Sequence, residues 1–98
     1  MNYNEDFLRK CIDFFGEDKQ QIVAIEEMAE LTQALSKNII GHRNATRKKV
    51  VEEFIDVTIM LNQIRMIYNI TLTEIEEGKK YKFSRLENYI ENIKNETA

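Results

Sequence analysis

A chain of 98 residues with a formal charge of -3 and a pI near 5.2 has room for one hydrophobic core and not for two domains, and it lacks the basic balance of a nucleic-acid polymer binder. At 43% hydrophobic and 32% charged residues it reads as an ordinary globular protein, and with no Pro and three Gly it favours long helices over a turn-rich β-fold. No apolar run approaches the ~20 residues of a membrane span, and the N-terminus has neither the basic nor the apolar region of a signal peptide, so a cytoplasmic location and no membrane partner are expected.

In chain order, the first predicted helix runs from about Asn4 to Phe15. Asn4 supplies the N-cap, Glu5 and Asp6 suit the positive end of the dipole, and Gly16 takes the left-handed conformation that ends the helix. Phe7, Leu8 and Phe15 share an apolar pattern with Cys11, which has no second cysteine to pair with and reads as a buried thiol. The second helix is expected from Asp18, as N-cap, to about Asn38, with Gln21 completing a capping box. Ile22 and Ile25 lie opposite its main apolar stripe, so this helix needs neighbours on both sides.

A loop follows, Ile39-Ile40-Gly41-His42-Arg43-Asn44, with Gly41 for the turn and Asn44 or Thr46 as the next cap. His42 reads as a solvated loop residue. Arg43, Arg47, Lys48 and Lys49 crowd the start of the third helix, where cations oppose the dipole; they form a solvated run, or set one or two cations against phosphate. That helix, about Ala45 to Tyr68, carries a second apolar stripe of Val51, Ile55, Ile59 and Met66 beside its first, which makes it central in its domain or buried in an oligomer. Asn69 closes it. Thr71 with Glu74 makes a capping box, and Ile70 with Ile75 a hydrophobic staple, for a last helix bearing Leu72, Phe83, Leu86, Ile90 and Ile93. A kink or break is expected at Gly78 and fraying from Asn95 to Ala98. The sum is an all-α bundle of about four helices in one domain, with two long central helices and completion by oligomerisation.

Those long helices repeat one phrase, Glu26-Glu27-Met28-Ala29-Glu30-Leu31 and Glu52-Glu53-Phe54-Ile55-Asp56-Val57. Positions three apart share a helix face, so each copy sets two carboxylates side by side. At roughly 100° per residue, Glu53 falls inside a stripe of Val50, Val57, Met60, Leu61 and Ile64, with Asp56 beside it. Glu27 falls inside a stripe of Val23, Ala24, Leu31, Ala34 and Leu35, with Glu30 at its edge. Burying an unpaired carboxylate costs several kcal/mol, and with no basic residue read on these stripes the four acids require a cation from outside the chain. Mg²⁺ suits them, with Mn²⁺ as a substitute, because it is hard, takes oxygen ligands and is commonly shared with phosphates. A di-iron bundle competes for such acids, but it needs Glu-x-x-His, and the sole histidine is His42 in the loop. The plainer alternative is acids facing water or pairing with Lys and Arg of a neighbouring helix; two copies in apolar stripes count against it.

Taken together, Glu27-x-x-Glu30 and Glu53-x-x-Asp56 resemble the signature of the MazG-like nucleoside triphosphate pyrophosphohydrolases, members of the all-α NTP pyrophosphatase superfamily. The stretch Gln20 to Lys37 resembles the first motif helix of that family, and Lys82-Phe83-Ser84-Arg85 resembles its Lys-Phe-x-Arg element. The resemblance implies cleavage of an NTP or dNTP between the α and β phosphates, giving the monophosphate and pyrophosphate, in homodimers or homotetramers with sites in or near their helical bundles. It makes Glu27, Glu30, Glu53 and Asp56 the Mg²⁺ ligands and Lys82 and Arg85 phosphate contacts, from the same or a second subunit. The mechanism this implies has water attacking the α-phosphorus, with Glu26 or one of the ligand acids taking its proton. Lys37, about 80° from Glu27 on the Glu30 side, is a further phosphate contact or a solvated lysine. Glu52, Lys79 and Lys80 read as surface charges. Two alternatives stand beside this reading: a non-catalytic association or nucleotide-sensing module on the same scaffold, and a phosphoribosyl-ATP pyrophosphohydrolase of a related all-α family.

Overall fold

The computed structural model describes residues 4–41 and 46–97. Among them are four helices and no strand: α1 (Glu5–Phe15), α2 (Glu17–Ile39), α3 (Arg47–Ile67) and α4 (Leu72–Thr97). None is long and apolar enough to cross a membrane.

Local chemistry sets most of the boundaries. Asn4 Oδ1 accepts from the Phe7 N–H at 3.2 Å and starts α1. Gly16 ends α1 and begins α2 at φ 95° and ψ 149°, a backbone conformation that essentially only glycine adopts. Gly16 therefore replaces Asp18 as the N-cap, and no side chain caps α2. The Gln20 N–H already reaches the Gly16 carbonyl at 3.0 Å, so the helix is under way before Asp18. Gln21 Nε2 donates to the Glu17 carbonyl at 3.4 Å instead of closing a capping box.

Thr46 caps α3, its Oγ1 accepting from the Lys49 N–H at 3.2 Å; His42, Arg43, Asn44 and Ala45 lie outside the described residues. Asn69, at φ 53°, closes α3 in a Schellman turn: the Ile70 N–H reaches the Arg65 carbonyl at 3.0 Å, and the Asn69 N–H that of Met66 at 3.2 Å. The capping box of α4 forms in both directions, Glu74 N–H to Thr71 Oγ1 at 3.1 Å and Thr71 N–H to Glu74 Oε1 at 3.0 Å. From there α4 continues through Gly78 to Thr97, correcting the expected break at Gly78; Ala98 lies outside the described residues. One Gly in a helix interior costs only about 1 kcal/mol relative to Ala, too little to interrupt a helix nucleated by a capping box. In the last turn Thr97 Oγ1 donates to the Ile93 carbonyl at 3.1 Å.

The two long helices pack as an antiparallel pair. Ala24 and Ala34 on α2 and Val57 and Met60 on α3 are buried, and the alanines let the helix axes approach closely. At the far end α1 lies across the pair, where Leu8, Ile12 and Met66 form a core cluster with Ile59 and Ile67 against it. The Arg65–Glu5 ion pair and the Tyr68 hydroxyl, donating to Gln21 Oε1 at 2.6 Å, fasten that end. Cys11 is half-buried rather than enclosed, because α1 turns only one face to the core.

The remaining helix stands off. No Cα of α4 comes within 8 Å of a Cα in α1, α2 or α3. The radius of gyration is 17.4 Å, against about 13 Å for a compact chain of this length. Tyr81, Phe83, Leu86, Tyr89 and Ile90 are exposed on α4, as are Phe14, Phe15, Ile22 and Ile25 on α1 and α2. The all-α architecture with two long packed helices is the one expected, and it leaves apolar faces exposed among the described residues.

Candidate metal centre

Glu27 and Glu30 occupy neighbouring turns of α2, and Glu53 and Asp56 neighbouring turns of α3. The packing sets Glu30 against Glu53 and Glu27 against Asp56. One carboxylate oxygen from each of Glu27, Glu30 and Glu53 lies within 4.8 Å of the other two. Glu53 is 3% exposed, Glu27 is half-buried, and Glu30 reaches solvent. Asp56, also exposed, is outside this trio and lines an open hollow of about 180 Å³ with Val23, Glu27, Ile59 and Met60.

Two oxygens are left over. Oε2 of Glu27 and Oε2 of Glu53 are buried and have no hydrogen-bond partner among the described residues. Buried polar atoms are nearly always paired, and an orphaned carboxylate oxygen is costlier than most. The crowding is visible in the proton affinities. Burial, then the charges of Glu30, Asp56 and Glu53, push the Glu27 carboxyl above the ordinary range. Glu30 is pushed up too, first by its close contact with the Glu53 carboxyl and then by that group's charge. Glu53 moves the other way, because a hydrogen bond from Lys49 outweighs its burial.

Lys49 corrects the expectation that no base shares these stripes. Its Nζ lies 2.8 Å from Glu53 Oε1, joining a half-exposed lysine to a carboxylate side chain 4% exposed. The same contact raises the lysine's own pKa. Lys49 precedes Glu53 by one helical turn, and that i,i+4 spacing was the signal available in the sequence.

Other predicted residues lie elsewhere. Glu26 and Glu52 are exposed and outside the cluster. Lys37 is exposed in the last turn of α2, about 10 Å along the helix from Glu30 at 1.5 Å per residue. Lys82 and Arg85 are on α4, away from the acids of the same chain; they lie over the Tyr81 ring, 6.0 and 5.7 Å from its centroid, and border a hollow with Leu86 and Tyr89. Gln20 and Gln63 escaped the sequence reading. Both are buried, and Gln20 Nε2 donates to Gln63 Oε1 at 2.7 Å. The clue was a polar residue on each acid-bearing stripe.

The donors assembled here are anionic oxygens, the set that a hard divalent ion such as Mg²⁺ or Mn²⁺ prefers. The orphaned oxygens of Glu27 and Glu53 supply the unmet demand for positive charge. No protein-family model, curated protein or solved structure matches this chain.

Proposed function

We propose that the chain is a Mg²⁺-dependent nucleoside triphosphate pyrophosphohydrolase, with Mn²⁺ as a substitute ion, that splits an NTP or dNTP into the nucleoside monophosphate and pyrophosphate. One observation carries this reading: three carboxylates from two helices converge within 4.8 Å, with two of their oxygens buried and unpartnered among the described residues. The resemblance of Glu27-x-x-Glu30 and Glu53-x-x-Asp56 to the MazG-like motifs supports the same activity.

A divalent ion at this place supplies charge neutralisation for a polyphosphate and acidifies a water molecule. Glu27 and Glu53 would hold it from the buried side and Glu30 from the solvent side, with Asp56, which lies against Glu27, extending the set. Water adds to the α-phosphorus while the bond to the pyrophosphate oxygen breaks. Its proton passes to Glu30, which reaches solvent at the cluster, or to Asp56, which is exposed and lies against Glu27, rather than to Glu26, which contacts none of these acids. Lys82 and Arg85 neutralise the departing pyrophosphate from a second copy of the chain, in a dimer or tetramer. Support for that arrangement is the exposed apolar face of α4, which has no neighbour in α1, α2 or α3.

The test is a panel of NTPs and dNTPs incubated with Mg²⁺ at high protein concentration, reading pyrophosphate release. Release from any of them supports hydrolysis. Binding without release from all of them favours the nucleotide-sensing module.

A further inference from the structure

Among the described residues, the carboxylate cluster makes one ion pair, and its cation is Lys49. That lysine is built to leave. Its backbone is fixed in the first turn of α3, where its N–H bonds Thr46 Oγ1, but its side chain is 53% exposed and carries a flexible four-carbon stem. It also falls short of neutralising the site: it bonds Oε1 of Glu53, while Oε2 of Glu53 and Oε2 of Glu27 stay buried and unpartnered. One ammonium thus faces three converging carboxylates, an imbalance that favours replacement by an ion of higher charge.

We propose that Lys49 is the resident counter-ion of the cluster: it holds Glu53 until a divalent ion displaces it, and the freed ammonium then contacts the polyphosphate that arrives with that ion. This rests on the metal-site reading above and adds a residue to it. Displacement leaves Lys49 at the rim, since its backbone does not move, and places its charge next to the N-terminus of α3, whose dipole also favours anions. The paired-acid phrases do not include this lysine, and the basic run to which it belongs does not single it out from Arg43, Arg47 and Lys48.

The competition makes an unusual prediction: removing a positive charge from the site strengthens its hold on a cation. Lys49→Met keeps the aliphatic stem and loses the ammonium. In calorimetric titrations without nucleotide, this variant binds Mn²⁺ roughly fivefold tighter than the wild type, the scale of a partly exposed ion pair released from competition. It melts at a lower temperature than wild type in EDTA, and the gap narrows in saturating Mn²⁺; a merely structural lysine leaves the gap unchanged. Affinity for inorganic pyrophosphate in the presence of Mg²⁺ falls several-fold. Lys49→Arg, which keeps the charge, retains wild-type Mn²⁺ affinity within about twofold. Should Lys49→Met fold poorly, Lys49→Gln carries the same expectations. Wild type that binds Mn²⁺ no more weakly than Lys49→Met overturns the counter-ion role alone. Failure of both to bind overturns it together with the metal-site reading, and unchanged pyrophosphate affinity overturns the phosphate contact.

Discussion

Gln20 and Gln63 meet inside the α2–α3 contact in the same antiparallel register as the acids. Gln20 Nε2 donates to Gln63 Oε1 at 2.7 Å, and Gln63 Nε2 turns to Met60 Sδ at 3.6 Å. Two turns along α2 from Gln20 stands Glu27, and two turns back along α3 from Gln63 stands Asp56; a further turn on each reaches Glu30 and Glu53. A slip of one residue rotates a helix face by about 100° and parts every one of these pairs. The buried amides therefore specify the alignment on which the carboxylate cluster depends.

Gln63→Leu leaves the Gln20 amide buried without its partner, and the expected loss is about 1–3 kcal/mol of unfolding free energy by urea titration. Mn²⁺ affinity should fall with it. Adding Gln20→Leu recovers much of the stability, because neither polar group is then stranded, but not the affinity, since apolar packing sets register less sharply. A single variant as stable as wild type shows that the amide bond contributes nothing to the pair.

Glu53→Gln preserves side-chain volume and removes the charge at the most buried point of the cluster. Helicity by circular dichroism stays at the wild-type level, while Mn²⁺ affinity and pyrophosphate release each fall about 100-fold or more. Undiminished turnover removes Glu53 from the site.

How far the sequence discloses this protein depends on the range of each interaction. Asn4, Asn69 and the Thr71–Glu74 box act within one turn of chain and mark their boundaries as expected, and of the two caps the sequence offers for α3, Asn44 or Thr46, Thr46 makes the capping bond. Asp18 misled because the Gly16 backbone bend, invisible in a capping pattern, starts α2 first. The burial of Glu53 follows from helical period alone, whereas the separation of Asp56 from the trio reflects a side chain one methylene shorter, set to the side of the stripe. Lys49 is legible in its i,i+4 spacing to Glu53, but a run of four cations, solvated or with one or two set against phosphate, does not distinguish it from its neighbours. The position of α4 was not legible at all, since periodicity shows that a helix has an apolar face and not what covers it.

Acidity acts on this fold in two senses. Glu27 and Glu30 bind protons more readily folded than unfolded, so in EDTA stability rises as pH falls from neutral through their raised pKa values toward 4.5. Glu53 and Glu74 are lowered; their stabilisation is full above 4.5 and is lost as pH falls through their lowered values. Melting temperature in EDTA should accordingly peak near the ordinary carboxylate range. A divalent ion requires deprotonated ligands, so the rise in melting temperature that Mn²⁺ produces grows with pH. Melts between about pH 2 and 8, with and without Mn²⁺, check both slopes. A Mn²⁺ effect independent of pH contradicts ligation by Glu27 and Glu30.

The separation of α4 from the acids has a consequence that mixing experiments can read. If Lys82 and Arg85 serve the carboxylates of a second copy, a variant with Glu53→Gln and a variant with both Lys82→Ala and Arg85→Ala are each inactive alone for different reasons. A mixed dimer holds one site with intact acids from one chain and intact α4 from the other. Co-refolding the two in equal amounts should restore about a quarter of wild-type activity, since half the dimers are mixed and half of their sites are whole. Sites completed within one chain give no recovery. Leu86→Glu with Ile90→Glu tests the contact itself: each buried aliphatic side chain is worth about 1.5–3 kcal/mol, so the pair should convert the assembly to an 11.6 kDa monomer by light scattering. A wild-type chain that is monomeric at tens of micromolar removes the second-copy arrangement and leaves Lys82 and Arg85 without a role at the acids.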